Sequence, residues 1–175
     1  MITFAKFIYR IPRKMRHFNL LLWWIVRYVQ FATAAIYYED CGSQGATLLG
    51  VDVTPCNSYP CTFIIGKQYT VKIGFTATTD VWSGSAVAYS IYNGVTKTLR
   101  LRDPVLCDHL IPPCPVRTGR TYTFSYAGTV SWKIPDIEIY LQLQLVNQYT
   151  WPFLCVQFPV KFVEGKANSA KALQQ

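Results

Sequence analysis

Apolar and polar residues alternate with a period of two along much of the chain after residue 36. In the segment YTVKIGFT (69–76) the odd positions are apolar or aromatic, whereas the even positions are Thr, Lys, Gly and Thr. The segments PDIEIYLQLQLV (135–146) and CVQFPVKFV (155–163) show the same alternation. A period of two is typical of antiparallel strands that bury one face and expose the other. We therefore predict a strand in each segment.

Weaker strand patterns occur in four further segments. These are ATLLGVDV (46–53), SAVAYSIYNG (85–94), VTKTLRL (95–101) and TYTFSYAGTV (121–130). About seven strands separated by turn residues predict an all-β protein with an immunoglobulin-like sandwich of two sheets. Pro159 lies inside the last strand and predicts an edge or a bulge at that point. The apolar faces either fill the core or leave an apolar cavity between the sheets, and periodicity alone does not choose between these alternatives.

The first 35 residues differ from the rest of the chain in charge and pattern. They hold six of the seventeen Lys and Arg residues and no acidic residue. A basic stretch, RIPRKMR (10–16), precedes the apolar run LLLWWIV (20–26) and the small residues FATAA (31–35). This order predicts a signal peptide (1–35) that is cleaved near Ala34 or Ala35, with an uncleaved anchor as the alternative.

The remaining chain is expected to form one domain at 36–164, followed by a disordered tail at 165–175. After residue 35 there are eleven basic and nine acidic residues, so the overall charge of +8 comes mainly from the N-terminal segment. We therefore predict no nucleic-acid interface on the folded part. A cleaved signal peptide implies a secreted or luminal protein.

All six cysteines follow the predicted signal peptide. An even number of cysteines in a secreted domain predicts disulfides, here three of them, for which 15 pairings are possible. The segment PCNSYPC (55–61) also suits a metal site or a redox dithiol in isolation. A zinc site needs close cysteine pairs or several histidines, yet the chain has no CxxC motif and His109 is the one histidine after residue 35. We predict no metal and no cofactor.

Residue patterns for catalysis are missing from the sequence. It contains no glycine-rich phosphate loop and no nucleophile elbow. Asp136 and Glu138 share one face of a predicted strand, but Gln142 and Gln144 lie on that face too, which is typical of a solvent-exposed surface. His109 lies in a proline-rich connection and is interpreted as a surface residue. We expect a binding protein rather than an enzyme.

Four motifs in a fixed order give the chain a recognisable framework. They are DCGS (40–43), VDVTPCNSYPC (51–61), GKQYTVKIGFT (66–76) and the ending CVQFPV (155–160). Together with the six cysteines, this framework closely resembles the ML lipid-recognition domain family, and within it the class of soluble sterol carriers of the Niemann–Pick type C group. The resemblance extends from about Tyr38 to Val163.

The resemblance implies the pairing Cys41–Cys155, Cys56–Cys61 and Cys107–Cys114. It also implies two sheets that spread apart and hold a single sterol between them. Matched position by position, the family's pocket residues fall on Leu99, Val130 and Ile134. Two of these three depart from the family's aromatic residues, which predicts a wider or differently shaped apolar pocket. Four aromatic residues are added as candidates for the pocket wall: Phe75, Tyr89, Trp132 and Phe153.

The function implied by the resemblance is that of a secreted or lysosomal carrier that binds a sterol and takes part in intracellular sterol transport. We expect a monomer that meets anionic membranes and a membrane-embedded sterol transporter transiently. Lys97, Arg100 and Arg102 are the candidate membrane contacts, with an ordinary solvated strand face as the alternative. The alternative functions are a carrier of another lipid (a fatty acid, a phospholipid or a hydrophobic signal), an innate-immune lipid co-receptor, and a structural sandwich with a filled core.

Overall fold

Ten strands run through the residues that the computed structural model describes, which are 36–130 and 137–164. In chain order they are β1 (Glu39–Asp40), β2 (Ala46–Thr54), β3 (Cys61–Ile64), β4 (Gln68–Ala77), β5 (Gly84–Tyr92), β6 (Val95–Leu99), β7 (Leu110–Ile111), β8 (Thr121–Thr129), β9 (Glu138–Asn147) and β10 (Pro152–Val163). A short 3₁₀ helix, Leu106–His109, precedes β7. The predicted signal peptide and the predicted tail lie outside the described residues.

The strands form two sheets. The first has the order β1-β10-β9-β5-β6, with β3 also paired to β10, and the second has the order β2-β4-β8-β7. All neighbouring strands are antiparallel except β3 and β10, which are parallel. The prediction of an all-β sandwich with two sheets is confirmed. The seven predicted strands are present. The three further strands, β1, β3 and β7, were not predicted because their two to four residues are too few to show an alternating pattern.

The core lies between the two sheets and contains the residues that the alternation placed inward. On β4 these are Tyr69, Val71, Ile73 and Phe75, and each is less than 8 % exposed. The inner faces of β9 and β10 contribute the other large group: Ile139, Leu141, Leu143, Leu145, Val156, Phe158, Val160 and Phe162. No charged side chain is buried in the described part of the chain. The apolar stripes of two facing sheets therefore account for the core.

Pro159 lies within β10, which has neighbours on both sides. Phe162 donates its N–H to the carbonyl of Ile137 at 3.1 Å, so the even residues of β10 direct their N–H groups towards β9 and the odd residues towards β1 and β3. β1 reaches β10 only as far as Gln157, and β3 begins opposite Val160. The missing N–H of Pro159 therefore faces the gap between these strands, a local edge, and the register shift between β9 and β10 lies at the start of β10 instead.

Three disulfides join the described residues, and they are the pairs that the resemblance implies: Cys41–Cys155, Cys56–Cys61 and Cys107–Cys114. The first links Cys41, directly after β1, to β10 at a sequence separation of 114, and the other two join cysteines at separations of five and seven. In the chain-entropy model the long closure stabilises the fold by about 4–5 kcal/mol. Within the two described ranges, no helix has the length and apolar character needed to span a membrane.

Candidate functional site

A cavity of about 1030 Å³ lies between the two sheets, on the side of the edge strand β6 and of the second half of β8. β7 pairs with β8 only at Phe124 and Thr123, so within the described residues the second half of β8 has no neighbour on that side. β6 ends at Leu99, and the chain then crosses the opening as the segment 100–102. The volume is at the upper end of the usual range for ligand pockets, about 300–1,000 Å³. The two sheets therefore part at this side instead of closing onto each other.

Apolar side chains from both sheets form the walls of the cavity. The first sheet contributes Phe63, Ala88, Leu141 and Leu143, and the second contributes Tyr69, Val71 and Val130. Each of these residues is less than 8 % exposed. Most of them lie at inward positions of strands that, further along, contribute to the filled core. The cavity is therefore a part of the space between the sheets that side chains do not fill. Such walls favour an apolar occupant, because contact with it removes hydrocarbon surface from water.

Phe63 and Tyr69 lie at the end of the cavity away from β6. Their rings stack with centroids 4.3 Å apart. The Tyr69 hydroxyl accepts the N–H of Ile64 at 2.9 Å and donates to the carbonyl of Thr62 at 3.1 Å. Tyr69 belongs to the second sheet and β3 to the first, so this side chain joins the sheets at the deep end of the cavity.

The mouth of the cavity lies between the segment 100–102 and the second half of β8. The Tyr126 hydroxyl accepts the backbone N–H of Arg102 at 3.0 Å and connects the two sides. A Cβ atom at Gly128 would lie 2.8 Å from the Tyr126 ring, so the ring lies over a position that has no side chain. The Tyr126 ring is therefore held at the mouth by Gly128 below it and by Arg102 at its tip.

The connection between Arg102 and Arg120 supports this side of the mouth. The His109 ring contacts the Tyr126 ring edge-on, with centroids 5.2 Å apart, and the Phe124 ring at 5.9 Å. His109 Nε2 lies 3.0 Å from the carbonyl oxygen of Asp103 and 3.5 Å from its carboxylate. The predicted surface histidine is thus a contact residue of the mouth, and its partners lie in the same long connection and on β8.

The resemblance predicts both Val130 and Leu99 in the pocket. In the structure, Val130 is part of the cavity wall and Leu99 is not. Val130 lines the cavity at the end of β8 and is 4 % exposed. Leu99 is buried at the end of β6, but it is the next three residues, 100–102, that line the cavity. Ile134 and Trp132 lie outside the described residues.

Phe75, Phe153 and Tyr89 do not line this cavity. The ring of Phe75 packs against Tyr122 and Phe153, with centroids 5.8 and 6.0 Å away, in the filled part of the core. Tyr89 follows the inward residue Ala88 on β5, so the pleat directs it to the outer face of the first sheet. The two phenylalanines point inward but lie at a part of their strands where the core is filled. Tyr89 is directed away from the cavity because it lies on the opposite face of its strand.

The three basic residues expected to contact membranes lie at the mouth or beside it. Arg100 and Arg102 line the cavity, and Lys97 is exposed on β6 three residues before Arg100. No carboxylate within the described ranges forms an ion pair with any of the three side chains.

Most of the cavity wall was not among the residues predicted as the site. Tyr69, Val71, Leu141 and Leu143 occupy inward positions of strands that the alternation identified. Their inward direction was readable from the sequence, whereas their place beside a gap between the sheets depends on how strands distant in sequence pair. Phe63 lies on the short strand β3, for which no alternating signal existed.

Comparisons with known proteins agree with this architecture. A family model described as ML domain matches residues 35–162. Among curated proteins, the NPC intracellular cholesterol transporter 2 of Bos taurus is 28 % identical over 126 residues, which cover 72 % of this chain and 84 % of the relative. The protein of the same name from Sus scrofa is 29 % identical over the same shares. The crystal structure of a Niemann-Pick type C2 protein from Japanese carpenter ant superimposes with a TM-score of 0.65 at 23 % identity, covering 73 % of this chain and all of the other, and shows a shared fold.

Proposed function

Because the chain belongs to the ML domain family, we propose that it is a lipid carrier that holds one sterol-like molecule in the cavity between its sheets and takes part in sterol transport. The observation that carries the proposal is the cavity of about 1030 Å³ with apolar walls from both sheets. The relatives from cattle and pig are named as intracellular cholesterol transporters, which supports cholesterol as the type of cargo. We propose binding and transfer, not catalysis, as the activity.

The apolar walls account for the affinity that such a carrier needs. Burial of about 300–400 Å² of apolar ligand surface at roughly 25 cal/mol per Å² is worth about 7–10 kcal/mol before the costs of association. Micromolar to nanomolar binding is then attainable without an extensive set of polar contacts. The stack of Phe63 on Tyr69 contributes a flat aromatic surface at the deep end.

The proposal extends to the compartment and the partners. The signal-peptide pattern before residue 36 and three disulfides favour a secreted or lysosomal location. We propose that the carrier acts as a monomer and passes its cargo to membranes or to a membrane-embedded sterol transporter.

Native mass spectrometry of the protein purified from the medium of secreting cells tests the cargo directly. We expect one sterol molecule per chain, identified after lipid extraction. One fatty acid or phospholipid per chain would support a carrier but contradict sterol as its cargo. A chain that neither retains a lipid nor takes one up from added sterol would contradict the carrier function itself.

A variant that fills the cavity tests its location. Val71 lines the cavity from β4, so we expect Val71→Phe to weaken the binding of a fluorescent sterol by about tenfold or more, because the added ring occupies the volume of the ligand. Val87→Phe is the matched control, since Val87 lies on the outer face of β5. Thermal unfolding of both variants verifies that they fold. Equal sterol affinities of the two variants would place the cargo outside this cavity.

A further inference from the structure

We propose that the chain carries a second binding site, for a neutral oligosaccharide, at the end of the sandwich away from the cavity. The site consists of two neighbouring segments, the loop 80–83 after β4 and the turn 147–151 that joins β9 to β10, and we call it the aromatic tip. None of its residues lines the cavity. The site is therefore separate from the proposed carrier function.

Both tryptophans that the structure describes lie in the aromatic tip, and both are exposed. Trp82 is 58 % exposed and Trp151 43 %, and the neighbouring Tyr149 is 78 % exposed, the highest value for a large apolar or aromatic side chain in the described ranges. None of the three rings belongs to the core. Exposed tryptophan and tyrosine residues grouped in one place are typical of binding surfaces, because each combines a large apolar area with a polar group.

Hydrogen bonds fix the turn and join it to the loop. The side-chain oxygen of Asn147 accepts the N–H of Tyr149 at 3.0 Å and the N–H of Trp151 at 3.1 Å. Gln148 Oε1 accepts the backbone N–H of Trp82 at 3.3 Å, which connects the two segments. The aromatic residues thus lie on a backbone that is already ordered. Such a surface loses little conformational entropy when it binds a ligand.

The Trp82 ring is held from one side by Arg117. The guanidinium carbon lies 4.3 Å from the ring centroid, and Asp80 accepts an N–H of the same guanidinium group at 3.0 Å. Val81 and Val116 exchange backbone hydrogen bonds of 3.0 and 2.8 Å. The residues that follow these two valines are therefore held side by side. Trp82 is exposed nonetheless, so we assign the opposite face of its ring to the ligand.

The aromatic tip offers no unpaired charge to a partner. Its two segments contain one charged side chain, Asp80, and this carboxylate forms an ion pair with Arg117. A strongly anionic or cationic partner would therefore find no complementary charge at the tip. This favours a neutral ligand.

Hydrogen-bond donors accompany the exposed rings. Four of them have no acceptor within the described ranges: the indole N–H groups of Trp82 and Trp151, the hydroxyl of Tyr149 and the side-chain NH₂ of Gln148. A purely apolar partner would remove water from these groups without replacing it, at a cost in free energy. A partner rich in hydroxyl groups supplies the missing acceptors.

A sugar ring matches both the rings and the donors. Its C–H groups form a flat apolar face with a small positive charge, which packs against the negative face of an aromatic ring. Its hydroxyl groups then lie at the rim of the contact, where indole and amide N–H groups donate to them. In β-linked oligomers of N-acetylglucosamine every residue presents such a face, so one oligomer can contact more than one aromatic ring of the tip.

Titration of the purified secreted protein with neutral saccharides tests the site. The probes are N-acetylglucosamine, its β-linked trimer and lactose, and the readout is the shift of the indole N–H signals of Trp82 and Trp151 in NMR spectra. We expect the trimer to bind with a dissociation constant on the order of 0.1–1 mM, as suits a small ligand that stacks on exposed rings. The single sugar is expected to bind about fivefold more weakly, because it contacts one ring.

Two variants remove aromatic rings from the tip. We expect Trp82→Ala and Tyr149→Ala each to weaken binding of the trimer by about fivefold or more. Tyr149→Ala keeps the backbone N–H that Asn147 accepts, so the turn is retained. Tyr140→Ala is the matched control, since Tyr140 is also 43 % exposed but lies on β9, seven residues before the turn. Thermal unfolding verifies the fold, and all three variants are expected to bind a fluorescent sterol as the unaltered protein does.

Three results would overturn the saccharide site. The first is that none of the three neutral saccharides binds, or that the trimer binds both tip variants as tightly as the unaltered protein. The second is binding of a sulfated heparin tetrasaccharide in place of the neutral probes, which would show a site for anions. The third is a tip that binds phosphatidylcholine vesicles and no saccharide, which would assign the exposed rings to a membrane. Each of these results leaves the carrier function intact, because that function depends on the cavity.

Discussion

Two tyrosine hydroxyl groups connect the walls of the cavity, one at each end. Tyr69 bridges from β4 to β3, where its hydroxyl accepts the N–H of Ile64 and donates to the carbonyl of Thr62. Tyr126 bridges from β8 to the backbone of Arg102. Each hydroxyl pairs with backbone groups that have no partner in the hydrogen-bond ladder of a sheet. Leaving such groups unpaired would destabilise the fold. The width of the cavity therefore depends on single side chains as well as on the sheets.

Removal of the Tyr69 hydroxyl tests this role at the residue scale. We expect Tyr69→Phe to lower the free energy of unfolding by about 1–3 kcal/mol, because two backbone groups lose their partner. Urea denaturation measures the stability, and titration with a fluorescent sterol measures the binding. The sterol affinity is expected to fall as well, because the hydroxyl holds the sheets together at the deep end.

Tyr122→Phe is a suitable comparison for this variant. The Tyr122 hydroxyl accepts the N–H of Arg117 at 2.8 Å and donates to the carbonyl of Pro115 at 3.3 Å, away from the cavity lining. Its loss is expected to cost stability without a change in sterol affinity. A Tyr69→Phe protein that is as stable as the unaltered one would show that the bridge does not contribute.

At the scale of elements, the loop after β4 and the loop before β8 are joined through Asp80. Its carboxylate accepts the N–H and the hydroxyl of Thr118, both at 2.8 Å, and an N–H of the Arg117 guanidinium at 3.0 Å. The hydrogen bonds from Thr118, followed by the one from Arg117, lower the pKa of Asp80 below its ordinary value of 3.8. The Arg117 guanidinium also lies over the Trp82 ring, 4.3 Å from its centroid. These contacts hold the long connection 102–120 against the sandwich.

The Asp80 contacts predict a particular dependence of stability on pH. A carboxylate whose pKa is lowered by folding stabilises the fold above the pKa of the unfolded state, and this contribution disappears as the pH falls through the lower pKa of the folded state. We expect Asp80→Asn to be less stable than the unaltered protein at pH 7. The difference should begin to shrink as the pH approaches 3.8 and should vanish below the folded pKa. Thermal unfolding between pH 7 and pH 2 measures it.

Asp52→Asn is the control for the pH series. Asp52 accepts one hydrogen bond, from the Thr54 hydroxyl at 3.2 Å, so its replacement is expected to change the stability less. A constant difference between Asp80→Asn and the unaltered protein at every pH would mean that the stabilisation comes from packing, not from the ionised carboxylate.

For the domain as a whole, attraction to an anionic membrane depends on where the charged residues lie and not on the net charge. Residues 36–164 contain nine basic and nine acidic residues, so the predicted domain has no net charge to attract it to an anionic membrane. Three of the nine basic residues, Lys97, Arg100 and Arg102, fall within six positions at the mouth, where no acidic residue intervenes. An anionic surface would therefore attract the domain mouth first, which is the orientation that transfer of a lipid requires.

Neutralising this cluster tests the membrane contact. We expect the triple variant Lys97→Gln/Arg100→Gln/Arg102→Gln to transfer a fluorescent sterol to anionic vesicles at least tenfold more slowly, since the three basic residues near such a surface are together worth about 3 kcal/mol of membrane affinity. Transfer to neutral vesicles is expected to change little. Lys72→Gln, on the outer face of β4, is the matched control. A triple variant that transfers at the original rate, or that is slowed equally with both kinds of vesicle, would contradict a membrane role for these charges.

Features that depend on neighbouring residues in the sequence could be predicted, whereas features that depend on contacts between distant residues could not. The direction of Val71 or Leu143 follows from its own strand, because alternation with a period of two is a local property. The disulfide pairs, in contrast, were implied by the resemblance to the ML family and not by spacing, since six cysteines alone allow 15 pairings. The short strand β3 was invisible because four residues cannot establish a period.

The sequence by itself determined the all-β sandwich, the inner face of each long strand and the family, because these properties reside in periodic patterns and in motifs read along one chain. Only the tertiary structure decided that Phe75 and Phe153 belong to filled core while Tyr69, Val71 and Leu143 line a cavity. The physical reason is that a cavity forms where two inner faces fail to meet. The distance between the two inner faces depends on strand order, on how far β7 pairs along β8 and on the path of residues 100–102. None of these is specified by a residue's own neighbours in the sequence.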